Sequence, residues 1–374
     1  MIVAGEVSGD QHAARLVRDL RAARGDVEIF GIGGEALRRE GVRTVVDARE
    51  MAVVGFFEVL VRYAFFRRVF ARMADLLVSE RPDALLLVDY PGFNLRLAAE
   101  AHARGVPVLY YVSPQVWAWH RSRIPKMAEI LDLLMVIFPF EVEVFQGTGL
   151  KTVFVGHPLV ESVQRTLARP SPELPWPKGR KRVALLPGSR RQEIQRILPA
   201  MLDAARELRR RDPATAFLIP AASAEIAGLI EAQLAARPAE ERLALGMVTG
   251  QMREVVRQAR AAMVCSGTAT VETALLGCPM IVTYRAAAPT YWLGRRLIRV
   301  KWLGMVNLVA NRTLCPEFIQ GAAEPVAMAD ALEPLLGDTP ARQAQVAGLE
   351  EIAAALRGGG DVKPAGRLVA EALG

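Results

Sequence analysis

One rhythm runs through this chain twice: short apolar stretches alternate with helical patterns, which restricts it to parallel α/β architecture. The first pass reads MIVAGE, a helix from about Gln11 to Arg24, VEIFGIGG, a helix near Glu35–Glu40 and RTVVD, then the apolar stretches DALLLVDY, PVLYYVSP, LLMVIFP and TVFVG. Several stretches are continuously apolar, as strands covered on both faces must be. Between Arg169 and Lys178 (RPSPELPWPK) four prolines exclude a helix or sheet interior. The rhythm then restarts with RVALLPGSR, a long helix to about Arg211, ATAFLIP, LGMVTG, AAMVCSG and CPMIVTYR. The expected fold class is α/β, with two Rossmann-like, doubly wound parallel-sheet domains at 1–168 and 179–361 joined by a linker at 169–178. A last helix over about 362–374, after Gly358–Gly360, is expected to pack back on the first domain. Ligands of such sheets bind outside the carboxyl ends of the strands, so the site is expected in the cleft between the domains.

The chain is long enough for two cores, and its 52% apolar content fills them. Cys265, Cys278 and Cys315 are odd in number and widely spaced, which fits a reducing compartment better than a disulfide framework. No long uncharged apolar run and no N-terminal signal pattern is present, so a cytoplasmic location is expected. A net charge of +7 favours anionic partners. Nucleic-acid motifs are missing, which leaves lipid and nucleotide phosphates rather than nucleic acid.

Four short segments can carry chemistry. AGEVSGD (4–10) turns from a strand into a helix, where Gly5 and Gly9 allow tight geometry, Ser8 or Asp10 can cap, and Glu6 either accepts from a sugar hydroxyl or is itself a cap. VDYPGFN (88–94) puts Asp89 at a strand end, either bonding its own turn or acting as a general base. LLPGSR brings Gly188, Ser189 and Arg190 to a helix start, and SGTAT brings Ser266, Gly267 and Thr268 to another. Helix starts of this kind bind phosphate through free amides and the positive end of the dipole. Glu272, one turn further on, suits ribose hydroxyls or simply stabilises its helix. No DxD pair, P-loop or HExxH motif occurs, and His12, His102, His120 and His157 are scattered, so no metal or other cofactor is expected. The run from Phe56 to Met73 is apolar around most of its circumference but interrupted by Arg62, Arg67, Arg68 and Arg72, which reads equally as a buried or an interfacial helix.

Taken together, AGEVSGD, GIGG (31–34), VDYPGFN, YYVSPQVWAW (110–119), FPFE (138–141), FVGHPL (154–159), LLPGSR with Glu193, SGTATVE, Tyr284–Arg285 and the Asn307 segment resemble the lipid-A-disaccharide synthase family, inverting transferases of GT-B fold. The resemblance runs to about Gln320. It implies UDP-2,3-diacylglucosamine as donor, 2,3-diacylglucosamine 1-phosphate as acceptor and a β-1,6 linkage, and it leaves a homodimer open; the basic, phenylalanine-rich run from Phe56 to Met73 suits peripheral attachment to the anionic inner-membrane surface. By the same resemblance Glu6, Asp89, Arg190 and Asn307 are active-site residues. Gly188, Ser189, Ser266, Gly267, Thr268 and Glu272 fall on the UDP side. Ser8, Asn94, Ser113, Trp117, Phe56, Phe57, Phe65, Phe66 and Arg68 face acceptor or lipid. The sequence departs from the family at His120, which follows Trp119 where an arginine is usual, a change that bears on phosphate or lipid contact there. Twin α/β domains also suit a UDP-sugar 2-epimerase, another GT-B transferase, or a non-catalytic nucleotide-sugar or membrane-binding protein.

Overall fold

The computed structural model describes residues 1–51, 62–241, 243–287, 291–292, 296, 300–360 and 362–374. Its first sheet contains β1 (Ile2–Ala4), β2 (Phe30–Gly33), β3 (Arg43–Asp47), β4 (Leu85–Val88), β5 (Val108–Tyr111), β6 (Leu133–Val136) and β7 (Thr152–Phe154), all parallel, in the order 3-2-1-4-5-6-7. The second contains β8 (Lys181–Leu186), β9 (Thr215–Ala221), β10 (Leu245–Thr249), β11 (Ala261–Cys265), β12 (Met280–Tyr284) and β13 (Glu317–Ile319), also parallel, in the order 10-9-8-11-12-13. Every residue of β1, β2, β4, β5, β6, β9 and β11 is buried, which explains their unbroken apolar sequence.

Both sheets reverse direction once, between β1 and β4 and between β8 and β11. Connections on either side of such a reversal leave on opposite faces, so a crevice opens at the strand ends. Ala4 pairs with Val88, and Leu186 with Val264, so the loops after these strands emerge side by side within their own sheets.

The helices that bear on the sites are α1 (Val7–Arg24), α2 (Glu35–Arg39), α3 (Tyr63–Ser79), α4 (Pro91–His102), α5 (Leu159–Leu167), α6 (Arg191–Arg211), α7 (Thr268–Leu275), α8 (Met305–Ala310) and α9 (Ala365–Ala372). α1 begins four residues ahead of the expected Gln11. Asp10 therefore lies inside its first turn and caps a different helix: its buried carboxylate accepts from the amides of Gly34, Ala36 and Leu37 at 2.6, 2.9 and 3.2 Å, holding the start of α2. In its part of the arginine-rich run, α3 has one buried and one exposed face. Val69, Met73 and Leu77 are buried in one stripe, while Arg67, Arg68 and Arg72 are exposed. Phe56 and Phe57 lie outside the described residues. No described helix is long and apolar enough to cross a membrane.

Two compact units comprise Met1–Pro158 with Gly358–Gly374, and Leu159–Arg357. The division precedes the segment 169–178, which is tied to the second unit instead of hanging between domains. Gln258 binds the Trp176 indole N–H at 3.0 Å and the Pro172 carbonyl at 2.7 Å, and Arg257 donates to the carbonyls of Thr166 and Arg169. The chain returns to the first unit at Gly358, where α9 lies against α1. A Cβ on Gly366 would stand 2.5 Å from the Leu16 carbonyl oxygen and 2.4 Å from the Leu20 amide, so the two helices touch backbone to backbone. Gly366→Val is expected to force α9 off α1 at a cost of about 1–3 kcal/mol, as overpacking does. Urea unfolding measures this, and an unchanged midpoint would mean that α9 contributes nothing there.

Candidate active site

In the N-terminal unit, Asp89 and Tyr90 follow β4 with φ of +48° and +51°, a left-handed pair that non-glycine residues adopt at a cost. Several neighbours hold them. The Asp89 amide donates to the Tyr111 carbonyl at 3.0 Å, and the Asp89 carbonyl accepts from the Tyr110 hydroxyl at 2.5 Å and from Asn94 Nδ2 at 2.7 Å. The Tyr90 hydroxyl donates to the Met51 carbonyl at 2.9 Å. Its ring fills the space a side chain at Gly5 would need, 2.6 Å from an ideal Cβ, and that contact is what requires glycine at position 5. The carboxyl of Asp89 is half-buried. Burial, and then the Glu6 carboxylate, push it up to about 6, against a hydrogen bond from the Tyr90 amide.

Glu6 is exposed at the N-cap position of α1 without making a side-chain cap, and Ser8 is exposed beside it. Asn94 and Trp117, expected to face acceptor or lipid, are buried instead. Asn94 is fully enclosed and holds the backbone of Asp89, while the Trp117 indole donates to Glu141 at 3.1 Å. Ser113 is also buried but lines a recess with Asp89. Phe65 and Phe66 are half-buried against the first core, and Arg68 is exposed. Glu141 was not singled out from the sequence. It is 1% exposed, bound through its two oxygens by Trp117 and the Phe138 amide, and burial pushes it up to about 7.

In the C-terminal unit a cavity of about 670 Å³ opens at the β8/β11 reversal, within the roughly 300–1,000 Å³ of small-molecule sites. Gly188, Ser189 and Arg190 line one side, and Ser266, Gly267, Thr268 and Glu272 another. The two helix starts differ. At α6, Glu193 curls back to take the amides of Ser189 and Arg190 at 2.9 and 3.1 Å and a guanidinium N–H of Arg190 at 3.2 Å. The amides expected to be bare there are therefore occupied. Gly188, at φ +116°, makes room: a Cβ would meet Glu193 at 2.4 Å. At α7 the N-cap is Gly267, with φ +142° and no side-chain cap, so this start is open to an anion. Glu272 is paired with Arg253, whose Nε and Nη2 approach one carboxylate oxygen at 2.9 and 2.5 Å.

Asn307 lies elsewhere in the architecture than a contact residue would. It is fully buried on α8, donates to the Cys315 carbonyl and Glu317 at 2.7 and 2.8 Å, and accepts from the amides of Leu314 and Cys315. Glu317 also takes the amides of Leu303 and Gly304, both at 2.9 Å, and the Leu303 carbonyl receives the Ser266 hydroxyl at 2.8 Å. A chain of hydrogen bonds thus links Asn307 to the open turn through Glu317, Leu303 and Ser266. Among the described residues no three His, Cys, Asp or Glu side chains are grouped as a metal would need.

The Asp89 environment predicts a pH-dependent stability. Between 3.8 and about 6 the folded chain keeps a proton that the unfolded chain has released, so stability is lost as pH rises through that window. Asp89→Asn should therefore add on the order of 1 kcal/mol of stability at pH 8, seen as a higher thermal midpoint, with the gain vanishing near pH 4. A gain that is the same at both pH values would refute the raised carboxyl.

A family model described as lipid-A-disaccharide synthetase matches residues 1–363. The chain is 40% identical to lipid-A-disaccharide synthase of Geobacter sulfurreducens, covering 100% of this chain and 97% of that protein. It is 40% identical to that of Anaeromyxobacter sp. (strain K), covering 95% and 92%. Among solved structures it resembles UDP-GlcNAc 2-epimerase from Neisseria meningitidis bound to UDP-GlcNAc, with TM-score 0.61 and 11% identity over 98% of this chain and 97% of that one. It also resembles the glycotransferase of kitacinnamycin, with TM-score 0.59 and 14% identity over 100% and 96%. At such low identity these two report the fold alone, which is GT-B-like.

Proposed function

The chain belongs to the lipid-A-disaccharide synthase family, and we propose that it joins UDP-2,3-diacylglucosamine to 2,3-diacylglucosamine 1-phosphate through a β-1,6 bond with inversion, releasing UDP. The observation that carries the mechanism is Asp89, a half-buried carboxylate at a switch point with its affinity for protons raised. It takes the proton of the acceptor's 6-hydroxyl as that oxygen attacks the anomeric carbon of the donor. The carbon–oxygen bond to UDP breaks on the opposite face, and its electron pair stays on the diphosphate. Arg190 and the uncapped amides of α7 offset that charge, a preorganised electrostatic contribution that needs no metal. Glu272, with one oxygen engaged by Arg253, has the other for a ribose hydroxyl. An epimerase reading draws only on fold similarity, whereas the transferase reading draws on 40% identity over nearly the whole chain.

UDP release from the two lipid substrates in detergent, with chelator present, tests this reading. Wild-type turnover should survive the chelator, and kcat/KM should climb with pH through an apparent value near 6 as Asp89 ionises. Asp89→Asn should lose about 10²–10⁴-fold in kcat while keeping UDP affinity. Near-normal turnover in that variant would remove Asp89 as base.

Attachment to the anionic inner-membrane face from the cytoplasm is part of the same proposal. Exposed Arg67, Arg68 and Arg72 on α3, together with Tyr63 at 60% exposure, support it. Flotation with vesicles containing anionic lipid should carry the protein upward, zwitterionic vesicles should carry less, and Arg67→Glu/Arg68→Glu should abolish the difference. Equal flotation of the variant would rule α3 out as the contact.

A further inference from the structure

The N-terminal unit holds a second recess, of about 240 Å³, at the ends of β4, β5 and β6. Asp89, Val112 and Ser113 line it together with the buried Glu141, and Trp119, His120 and Arg123 also border it. From this arrangement we propose that the recess seats the acceptor's glucosamine headgroup, with Arg123, assisted by His120, receiving its 1-phosphate. The assignment rests on the transferase reading above and adds a specificity site to it.

Three observations converge. The first is size: the recess falls below the roughly 300–1,000 Å³ that encloses a drug-sized ligand, so it takes a headgroup and leaves two acyl chains outside. The second is charge. Asp89 supplies the group that takes a proton from a hydroxyl, and Arg123 supplies a cation. The Arg123 side chain is exposed and makes no ion pair among the described residues, although arginines elsewhere on this chain commonly pair with carboxylates, as Arg38 does with Asp47 and Arg43 with Glu80. An unpaired guanidinium bordering a recess matches a phosphate in charge and in its forked donor geometry.

The third is strain. Val112 has φ +65°, an outlier for a β-branched residue, and it follows directly on β5 in the lining of the recess. Together with Asp89 and Tyr90, it gives two neighbouring strand ends in left-handed geometry, an arrangement that persists where the surroundings over-determine it and that gathers at ligand sites. Trp119, 56% exposed beside His120, adds an aromatic face on which a sugar ring can lie.

The experiment compares 2,3-diacylglucosamine 1-phosphate with the same acceptor lacking its phosphate, both in detergent with saturating donor. Wild type should prefer the phosphorylated acceptor. Arg123→Gln should raise KM for that acceptor by about tenfold or more and bring the two acceptors to near equality, with the donor KM and UDP affinity unchanged. Arg123→Lys should recover part of the preference, and His120→Gln should lose part of it. Lys126→Gln, which removes a nearby charge paired with Glu129, should behave as wild type. A preference kept intact in Arg123→Gln overturns the assignment, as does an equal loss on both acceptors. A rise in donor KM instead would move Arg123 to the leaving diphosphate and also overturn it. Failure of wild type to release UDP with either acceptor would overturn the transferase reading itself, an outcome distinct from the others.

Discussion

The single reversal of strand order in each sheet is the constraint from which the sites follow. Parallel strands present their carboxyl ends along one edge, and covering helices bury most of that edge. Only where successive connections diverge to opposite faces does a gap remain. Gly5, Glu6 and Asp89 emerge at the β1/β4 reversal, and Gly188–Arg190 and Ser266–Thr268 at the β8/β11 reversal. The residues suited to proton transfer and to anion binding therefore follow from topology: a chain wound this way has few other places to put them.

A crevice alone does not fix side chains, and each unit adds a buried polar frame that does. In the first, Asn94 and Tyr110 converge on the carbonyl of Asp89 while Tyr90 is trapped against Gly5, which holds two residues in a conformation they would leave if free. In the second, the frame runs from Asn307 to Glu317, on to the amides of Leu303 and Gly304, and from the Leu303 carbonyl to the Ser266 hydroxyl. Removing Asn307 would leave the buried amide of Cys315 without its acceptor, so its loss would reach the open turn of α7 through structure as well as chemistry.

The alternation of apolar stretches with helices was legible because burial on both faces leaves a compositional mark, and twelve strands stand where such stretches led us to expect them, from Ile2–Ala4 through Met280–Tyr284. β13 (Glu317–Ile319) was not legible, since it is three residues long and opens on a glutamate, with no apolar run to mark it. Local turn chemistry misled at Asp10, whose carboxylate serves a helix 24 residues away. The burial of Asn94, Trp117 and Asn307 was not legible for a related reason: an Asn or Trp near a strand end looks the same in sequence whether it stands open or is sealed in the frame behind. Glu193 was visible, but its habit of occupying the amides of Ser189 and Arg190 was not, because only the left-handed Gly188 lets it turn back.

Asp89 joins these themes, because what makes it a better base also makes the fold less stable. Burial raises its affinity for a proton by disfavouring the carboxylate, and Glu6 adds repulsion. At about 6 the group is still mostly ionised at neutral pH, so it gains proton affinity while losing little of its reactive form. The ionised group then sits in surroundings that would prefer it neutral, beside a backbone in left-handed geometry, and both terms oppose folding. The tight packing of Tyr90 on Gly5 and the hydrogen bonds from Asn94 and Tyr110 offset them locally. A carboxylate in the same turn but open to water would need none of that frame and would be a weaker base, so the frame is best understood as what keeps a strained, partly desolvated carboxylate at the switch point.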